Sequence, residues 1–444
     1  MSQLFPIYTL PTATDGILKR RNWAETPYPA SLLAGIENIF GEALSPEQAV
    51  DRILADVRQR GDAALVYWSA RIDGTESEQL LVPKSECRDA LDQLEPELRS
   101  ALEQSAERIA AFHRRQPAQS WMHVDEQEGT LGQIVRPLAA VGVYVPAGTA
   151  PLPSSLLMAA VIARVAGVES VIACAPTDRS TGRIPDVILA AAEIAGVDAL
   201  YALGGAQAIA AMAFGSETVP AVDKIVGPGG LFVTLAKRRV FGAVGIDGLP
   251  GPTETIVIAD GTADPAWVAV DLLAQAEHDV LATAILLTPS QDMAQAVQEE
   301  VAHRLGQLRR DEIIAESMTH RGGAVLTPDL DAAVDAANAY APEHLCLSVQ
   351  DPWTLVPKIR NAGGIFVGDT SFEVLGDYIA GPSHIMPTEG TARFASPLNV
   401  EDFVKRISLI GLTPAASAEL SPIAARIADA EGLDAHAAAA RERT

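Results

Sequence analysis

Five short stretches of this 444-residue chain carry side chains able to bind a metal and move protons. They are Gln275-Ala-Glu-His278, Pro342-Glu343-His344, Gly376-Asp377-Tyr378, Gly381-Pro-Ser-His384 and Glu431-Gly-Leu-Asp-Ala-His436. Gln275 and His278 stand three apart on an expected helix and so project from one face, where an amide oxygen and an imidazole nitrogen can share a cation. Glutamine is an uncommon zinc ligand, because a neutral amide oxygen is a weak donor; a solvated polar helix end explains the pair as well. Glu343 and His344 are adjacent. In a strand they face opposite sides; in a turn they converge. Pro342 biases Ala341 toward extended backbone, which predicts a loop leading into Leu345-Cys-Leu-Ser-Val349. Histidine titrates near neutrality and is the commonest proton-transfer group, and a neighbouring carboxylate can activate water. A surface pair at a strand start is the plainer alternative. Asp377 is expected in a glycine-containing turn after a strand, a place suited equally to a ligand and to turn chemistry. His384 reads as a loop histidine. Glu431 and His436 lie near the C-terminus, so a chemical role for them needs the tail to dock on its own subunit or on a neighbour. His113, His123, His303 and His320 read as surface residues.

The elements that must position these groups follow a regular rhythm. Ser45-Pro46-Glu47 starts a helix with an N-cap and a first-turn proline, and Val50, Ile53, Leu54 and Val57 recur at helical spacing. From about Val135, short apolar runs such as Val141–Val145, Val171–Cys174 and Ala199–Ala202 alternate with helical segments. After a break at Gly248-Leu-Pro-Gly-Pro252 the alternation resumes with Thr255–Ile258, Ala284–Leu287, Ala324–Leu326 and Gly364–Val367. This pattern predicts an α/β chain of two doubly wound, parallel-sheet units. The predicted boundaries are an N-terminal arm at 1–40, one unit from 41–138 plus 254–396, a second from 139–253, and a helical, polar tail at 397–444. No GxGxxG stands at a strand-to-helix turn, so a dinucleotide would have to bind without that fingerprint. Tyr144 and Gln207 fall at C-terminal strand ends, where open α/β sheets bind ligands.

Composition narrows the field. The chain is 48% hydrophobic with a formal charge of −24, which disfavours nucleic acid as a partner, since phosphate recognition needs clustered Lys and Arg. Its three cysteines form no CxxC pair, which disfavours a disulfide framework or thiolate zinc site and fits a reducing, cytoplasmic setting. Neither a signal peptide nor a membrane-spanning apolar run is evident.

Taken in order, these blocks make the chain resemble the histidinol dehydrogenase family from about Arg52 to His436. Further matching blocks are Val141-Gly-Val-Tyr-Val-Pro-Ala-Gly148, Leu203-Gly-Gly-Ala-Gln-Ala-Ile-Ala210, Val222-Asp-Lys-Ile-Val-Gly-Pro-Gly229 and Gly390-Thr-Ala-Arg-Phe394. The resemblance implies two Rossmann-like domains and a zinc- and NAD-dependent enzyme that oxidises L-histidinol through L-histidinal to L-histidine, consuming two NAD. It implies Gln275, His278, Asp377 and His436 as zinc ligands, His344 as general base and Glu343 as the residue activating water. Thr253, His384 and Glu431 join the ligand residues around substrate, and Tyr144, Gln207 and position 230 meet the cofactor. It also implies a homodimer whose C-terminal tail enters the partner's site.

Three departures stand out: Gly230 where the family has Asn, Thr253 where it has Ser, and Ala147 where it has Gly. Two rival readings are a dehydrogenase of another polar primary alcohol, such as a sulfonated diol, and a catalytically silent binding protein. Glu431 weighs against the sulfonate, which a carboxylate repels.

Overall fold

The computed structural model describes residues 4–20, 28–74, 79–146 and 151–443, so the departure at Ala147 lies outside the described residues. Two six-stranded sheets organise the molecule. The first has strand order Ile7–Thr9, Gly323–Leu326, Thr283–Thr288, Glu254–Ala259, His344–Ser348, Gly364–Val367, every pair parallel. The second runs Leu81–Val82, Ala199–Ala202, Ser170–Ala175, Ala140–Tyr144, Lys224–Val226, Gly245–Ile246, parallel except at its first pair. Central strands such as Glu254–Ala259 and Thr283–Thr288 are buried along their whole length. Helices cover both faces of each sheet, which is why these strands read as unbroken apolar runs.

Local signals act as expected in several places. Ser45 and Gln48 form a capping box at the start of helix Pro46–Arg60. Asp264 caps helix Pro265–Ala276, with Pro265 in its first turn.

The division of the chain differs from the expected one. Helices Pro46–Arg60, Lys84–Gln93 and Pro96–His113 pack against helices of the second sheet, not the first. The stripe of the first, Val50, Ile53 and Val57, joins the core around Ile209, Met212 and Ile225, while Cys87, Ala90, Leu102 and Ile109 of the other two join the core on the other side, around Val143 and Leu189. A helix's period reveals that it has a buried face, not which sheet the face meets. Nor is the beginning a loose arm. Strand Ile7–Thr9 extends the first sheet, and Phe5 is wholly buried in that sheet's core. Three strand residues are too few for a pattern to show.

The segment from 397 is not helical throughout. Strand Val404–Leu412 pairs antiparallel with Gly129–Pro137, which also pairs with Trp121–Asp125, making a separate three-stranded sheet. Helices Pro414–Ala430 and Asp434–Arg441 follow. Strand Val404–Leu412 is exposed along most of its length, so it lacks the buried-face alternation that would have revealed it.

Candidate active site

The chemistry-bearing residues gather at the N-terminal ends of two central strands of the first sheet. Glu254–Ala259 and His344–Ser348 lie side by side in parallel register, with Thr255 opposite His344. Thr253 and Glu343 therefore both precede their strands at the same end of the sheet. Helix Pro265–Ala276 follows strand Glu254–Ala259 and delivers Gln275 in its last turn. Gly363 and Gly364 donate their N–H groups to Pro342 and Glu343 carbonyls (2.9 and 2.8 Å), and a Cβ on Gly363 would stand 2.5 Å from the Glu343 oxygen. Only glycine admits that approach.

Glu343 and His344 converge although one sits before the strand and the other in it. Both are buried, and His344 Nδ1 lies 3.7 Å from Glu343 Oε2. The Glu343 carboxylate is fixed by the Thr253 hydroxyl (2.6 Å) and the Glu254 N–H (3.0 Å). Gln275 Nε2 donates to the Thr253 hydroxyl and lies 3.2 Å from His344 Nδ1. The Glu254 carbonyl accepts from Nδ1 at 3.3 Å in the tautomer that leaves a lone pair on Nε2. That Nε2 is buried without a hydrogen-bond partner among the described residues, 3.6 Å from Asp377 Oδ1.

Burial by itself would push the His344 pKa down. Glu373, Glu343 and Asp377 overrule it and lift the imidazole to about 10. Burial raises Glu343 to about 7, against the pull of His344. His278 stands at the exposed rim, where the surrounding protein lowers its pKa and Asp377 partly restores it.

Asp377 is not in a turn. It lies in the short helix Glu373–Tyr378, whose six residues give too little periodicity to read. His384 accompanies it: Nδ1 lies 2.8 Å from the Asp377 carbonyl and Nε2 3.3 Å from the Ser155 hydroxyl. Ser155 belongs to helix Pro153–Val165 on the second sheet, so this histidine joins the two halves at the site. Glu431 and His436 lie on the exposed tail, outside this cluster in the same chain. His113, expected at the surface, is buried, with Nδ1 2.9 Å from the Ile109 carbonyl.

Two participants were missed. Glu373 is buried, accepts from the Thr255 hydroxyl (2.7 Å) and lies 3.9 Å from His344 Nδ1. Its four-residue spacing from Asp377 was a signal available in the sequence. Arg20 forms a salt bridge to Glu254, donates to the Tyr340 and Ala341 carbonyls (2.8 and 3.0 Å) and stacks 3.6 Å over the Tyr340 ring. It thereby ties together the two segments that present Glu254 and Glu343. Ala341 itself has φ +54°, a left-handed conformation rather than the extended one expected before proline.

Among the described residues, His344, Glu373 and Asp377 form a group of potential ligands whose ligand atoms lie within 4.8 Å of one another. It shares only Asp377 with the set Gln275, His278, Asp377 and His436. Chemistry separates the two sets: a His344 surrounded by carboxylates is primed to hold a proton, whereas His278 is already biased toward its neutral, ligating form. Gln275 Nε2 donates to the Thr253 hydroxyl, an orientation that leaves the carbonyl oxygen as the ligating atom. An imidazole, a carboxylate and an amide oxygen beside an orphaned buried nitrogen suit a zinc ion with positions left for other ligands.

The second sheet holds the other candidates, at the opposite, C-terminal ends of its strands. Tyr144 ends the strand Ala140–Tyr144, and its hydroxyl accepts the Gly205 N–H at 3.1 Å. Gln207 is fully buried in the first turn of helix Gly205–Phe214. Gly230 precedes helix Leu231–Val240, and nothing lies within 4 Å of where its Cβ would stand, so a larger side chain is sterically free to occupy the position.

Comparison with known proteins places the chain in one family. A family model described as histidinol dehydrogenase matches residues 42–444. A histidinol dehydrogenase of Deinococcus radiodurans is 50% identical over 425 residues, covering 95% of this chain and 96% of the relative. One from Thermus thermophilus is 51% identical over 391 residues, 88% of this chain and 93% of the relative. The crystal structure of histidinol dehydrogenase from Elizabethkingia anophelis superposes with a TM-score of 0.89 at 32% identity, covering 100% of this chain and 98% of that one.

Proposed function

Because the chain belongs to the histidinol dehydrogenase family, we infer that it oxidises L-histidinol through L-histidinal to L-histidine, with NAD accepting a hydride in each half. The observation that carries this reading at the level of residues is the buried Glu343–His344 pair held beside Asp377. In the first half, His344 Nε2 takes the alcohol proton as hydride leaves the carbinol carbon for NAD. In the second, Glu343 takes a proton from water as the water oxygen bonds to the aldehyde carbon, and a second hydride departs. Each half removes two electrons, so one L-histidinol reduces two NAD.

Gln275, His278 and Asp377 would hold zinc, with His436 supplied by the partner subunit. When bound, the ion polarises and orients the substrate. The ionised Asp377 would then no longer lend its full charge to His344, freeing that imidazole to act as a base. Thr253 would anchor Glu343 against the substrate, and His384 would line the pocket. Glu431 of the tail would meet the substrate amine, which favours histidinol over a sulfonated diol.

The supporting observation for a swapped tail is its apolar surface. Ile410, Ile423 and Ile427 are each more than half exposed, as are Met122 and Val124 on the neighbouring hairpin. The register places Ile410 on one face of the three-stranded sheet and Met122 and Val124 on the other, so apolar side chains are exposed on both faces, which suits burial against a second copy. Among the described residues no helix is long and apolar enough to cross a membrane. The three cysteines are buried and unpaired, which suits a reducing, cytoplasmic setting.

The deciding experiment counts NADH formed per L-histidinol consumed by zinc-loaded protein. The expected ratio is two, with L-histidine as product. Zinc retention without turnover of L-histidinol would move the substrate to another polar alcohol; absence of both zinc binding and turnover would favour the silent protein.

A further inference from the structure

At the C-terminal edge of the second sheet, Gly204-Gly205 turns the chain into helix Gly205–Phe214. Gln207, in the first turn, is 0% exposed, and its Nε2 donates to Asp73 Oδ2 at 2.9 Å. A carboxylate accepts hydrogen bonds and cannot donate them. It therefore dictates the orientation of the amide, nitrogen toward Asp73 and oxygen away. That oxygen, Oε1, is buried and has no hydrogen-bond partner among the described residues. Native proteins rarely leave such an acceptor unpaired unless a ligand or water completes it.

The backbone beneath the pair is shaped to admit it. A Cβ on Gly204 would stand 3.2 Å from both carboxylate oxygens of Asp73, and one on Gly205, whose φ is +58°, would stand 2.9 Å from Gln207 Oε1. Burial raises the Asp73 pKa to about 6, with Arg179 and Gln207 pulling the other way, so it is an acceptor above neutral pH. The partners of Asp73 are Gln207 and the Gly204 backbone, on the sheet assigned above to the cofactor, with Arg179 nearby.

We propose that Asp73 is a positioning residue for the nucleotide, holding Gln207 so that its carbonyl oxygen is presented to a hydroxyl or amino donor of NAD. The proposal rests on the NAD-dependent reading above.

The test is direct NAD binding by calorimetry at pH 8, without substrate, on wild type, Asp73→Asn and Gln207→Met. The amide that replaces the carboxylate in Asp73→Asn can donate as well as accept, so Gln207 is free to turn over and satisfy its own oxygen. Asp73→Asn should therefore keep the melting temperature and the KM for L-histidinol while weakening NAD binding by ~10-fold or more, the worth of one lost hydrogen bond. Gln207→Met should weaken it comparably, and the double variant should be no worse than the poorer single variant, because both act through one acceptor. NAD binding by Asp73→Asn at wild-type strength would overturn the proposal. So would additive losses in the double variant, or parallel losses in melting temperature and in KM for both ligands, which mark a merely structural carboxylate. If wild type itself bound no NAD, the functional reading would fall and this proposal with it. Wild-type binding that Asp73→Asn leaves unaltered removes the proposal alone.

Discussion

At the scale of the residue, whether His344 can act as a base depends on the charges around it. Three carboxylates hold a proton on it, while His278 arrives at its position inclined to be neutral. Metal binding here would therefore be linked to proton release. Titrating zinc into chelator-stripped protein at pH 8 in weak buffer should release a proton from wild type that His344→Ala does not release. Equal release by both would assign that proton elsewhere. His344→Ala should also lower turnover by ~10²–10⁴-fold, the usual worth of a general base, and retain its zinc; near-normal turnover would remove the residue from the proton path. Gln275→Ala, in contrast, is expected to lose both zinc and the donor that fixes Thr253.

At the scale of the element, helix Pro265–Ala276 carries both a site residue and a stored cost. Asp271, one turn before Gln275, is pushed up to about 6 by burial and by Asp369. A carboxyl whose folded pKa is raised favours folding below its unfolded value, near 4, and that advantage is lost as pH rises through 6. Asp271→Asn should therefore melt a few degrees higher than wild type above pH 6 and alike near pH 4. A lower melting temperature at pH 8 would show that the ionised carboxylate has a partner worth keeping.

The same helix illustrates what could be read beforehand. Its proline start and its apolar stripe were legible, because each is encoded within a few consecutive residues; the expected Gln275–His278 helix face was not found, since the helix ends at Ala276 and His278 lies in an exposed bend beyond it. The buried parallel strands were legible too. Strand Val404–Leu412 was not, because its ladder joins Gly129–Pro137 from far away in sequence and its side chains lack a buried face. Arg20 was invisible for the same reason: its partners are 234 to 321 residues distant and no local pattern announces them. Glu373 was overlooked because its four-residue spacing from Asp377 carries meaning only on a helix, and the six-residue helix that holds both was read as a turn.

At the scale of the whole molecule, the site is incomplete in one chain if His436 is a ligand, since the tail that bears it lies outside the cluster. Gln275→Ala and His436→Ala should each be inactive alone. Refolded together, they should recover up to roughly half of wild-type activity per mixed dimer, because one of its two sites draws every ligand from an intact copy. No recovery in dimers verified as mixed would place the tail on its own subunit. The edge strand Ile7–Thr9 has a different consequence. Its partner, Gly323–Leu326, is made more than three hundred residues later, which at ~5–20 residues per second is roughly 15–60 s on the ribosome. The second sheet, drawn from one intervening stretch of chain, is free to close during that wait. Arg20 must wait as well for Tyr340 and Ala341. The catalytic pocket is thus among the last parts of the protein to be born, and a nascent chain shields its unfinished first sheet only with help or with luck.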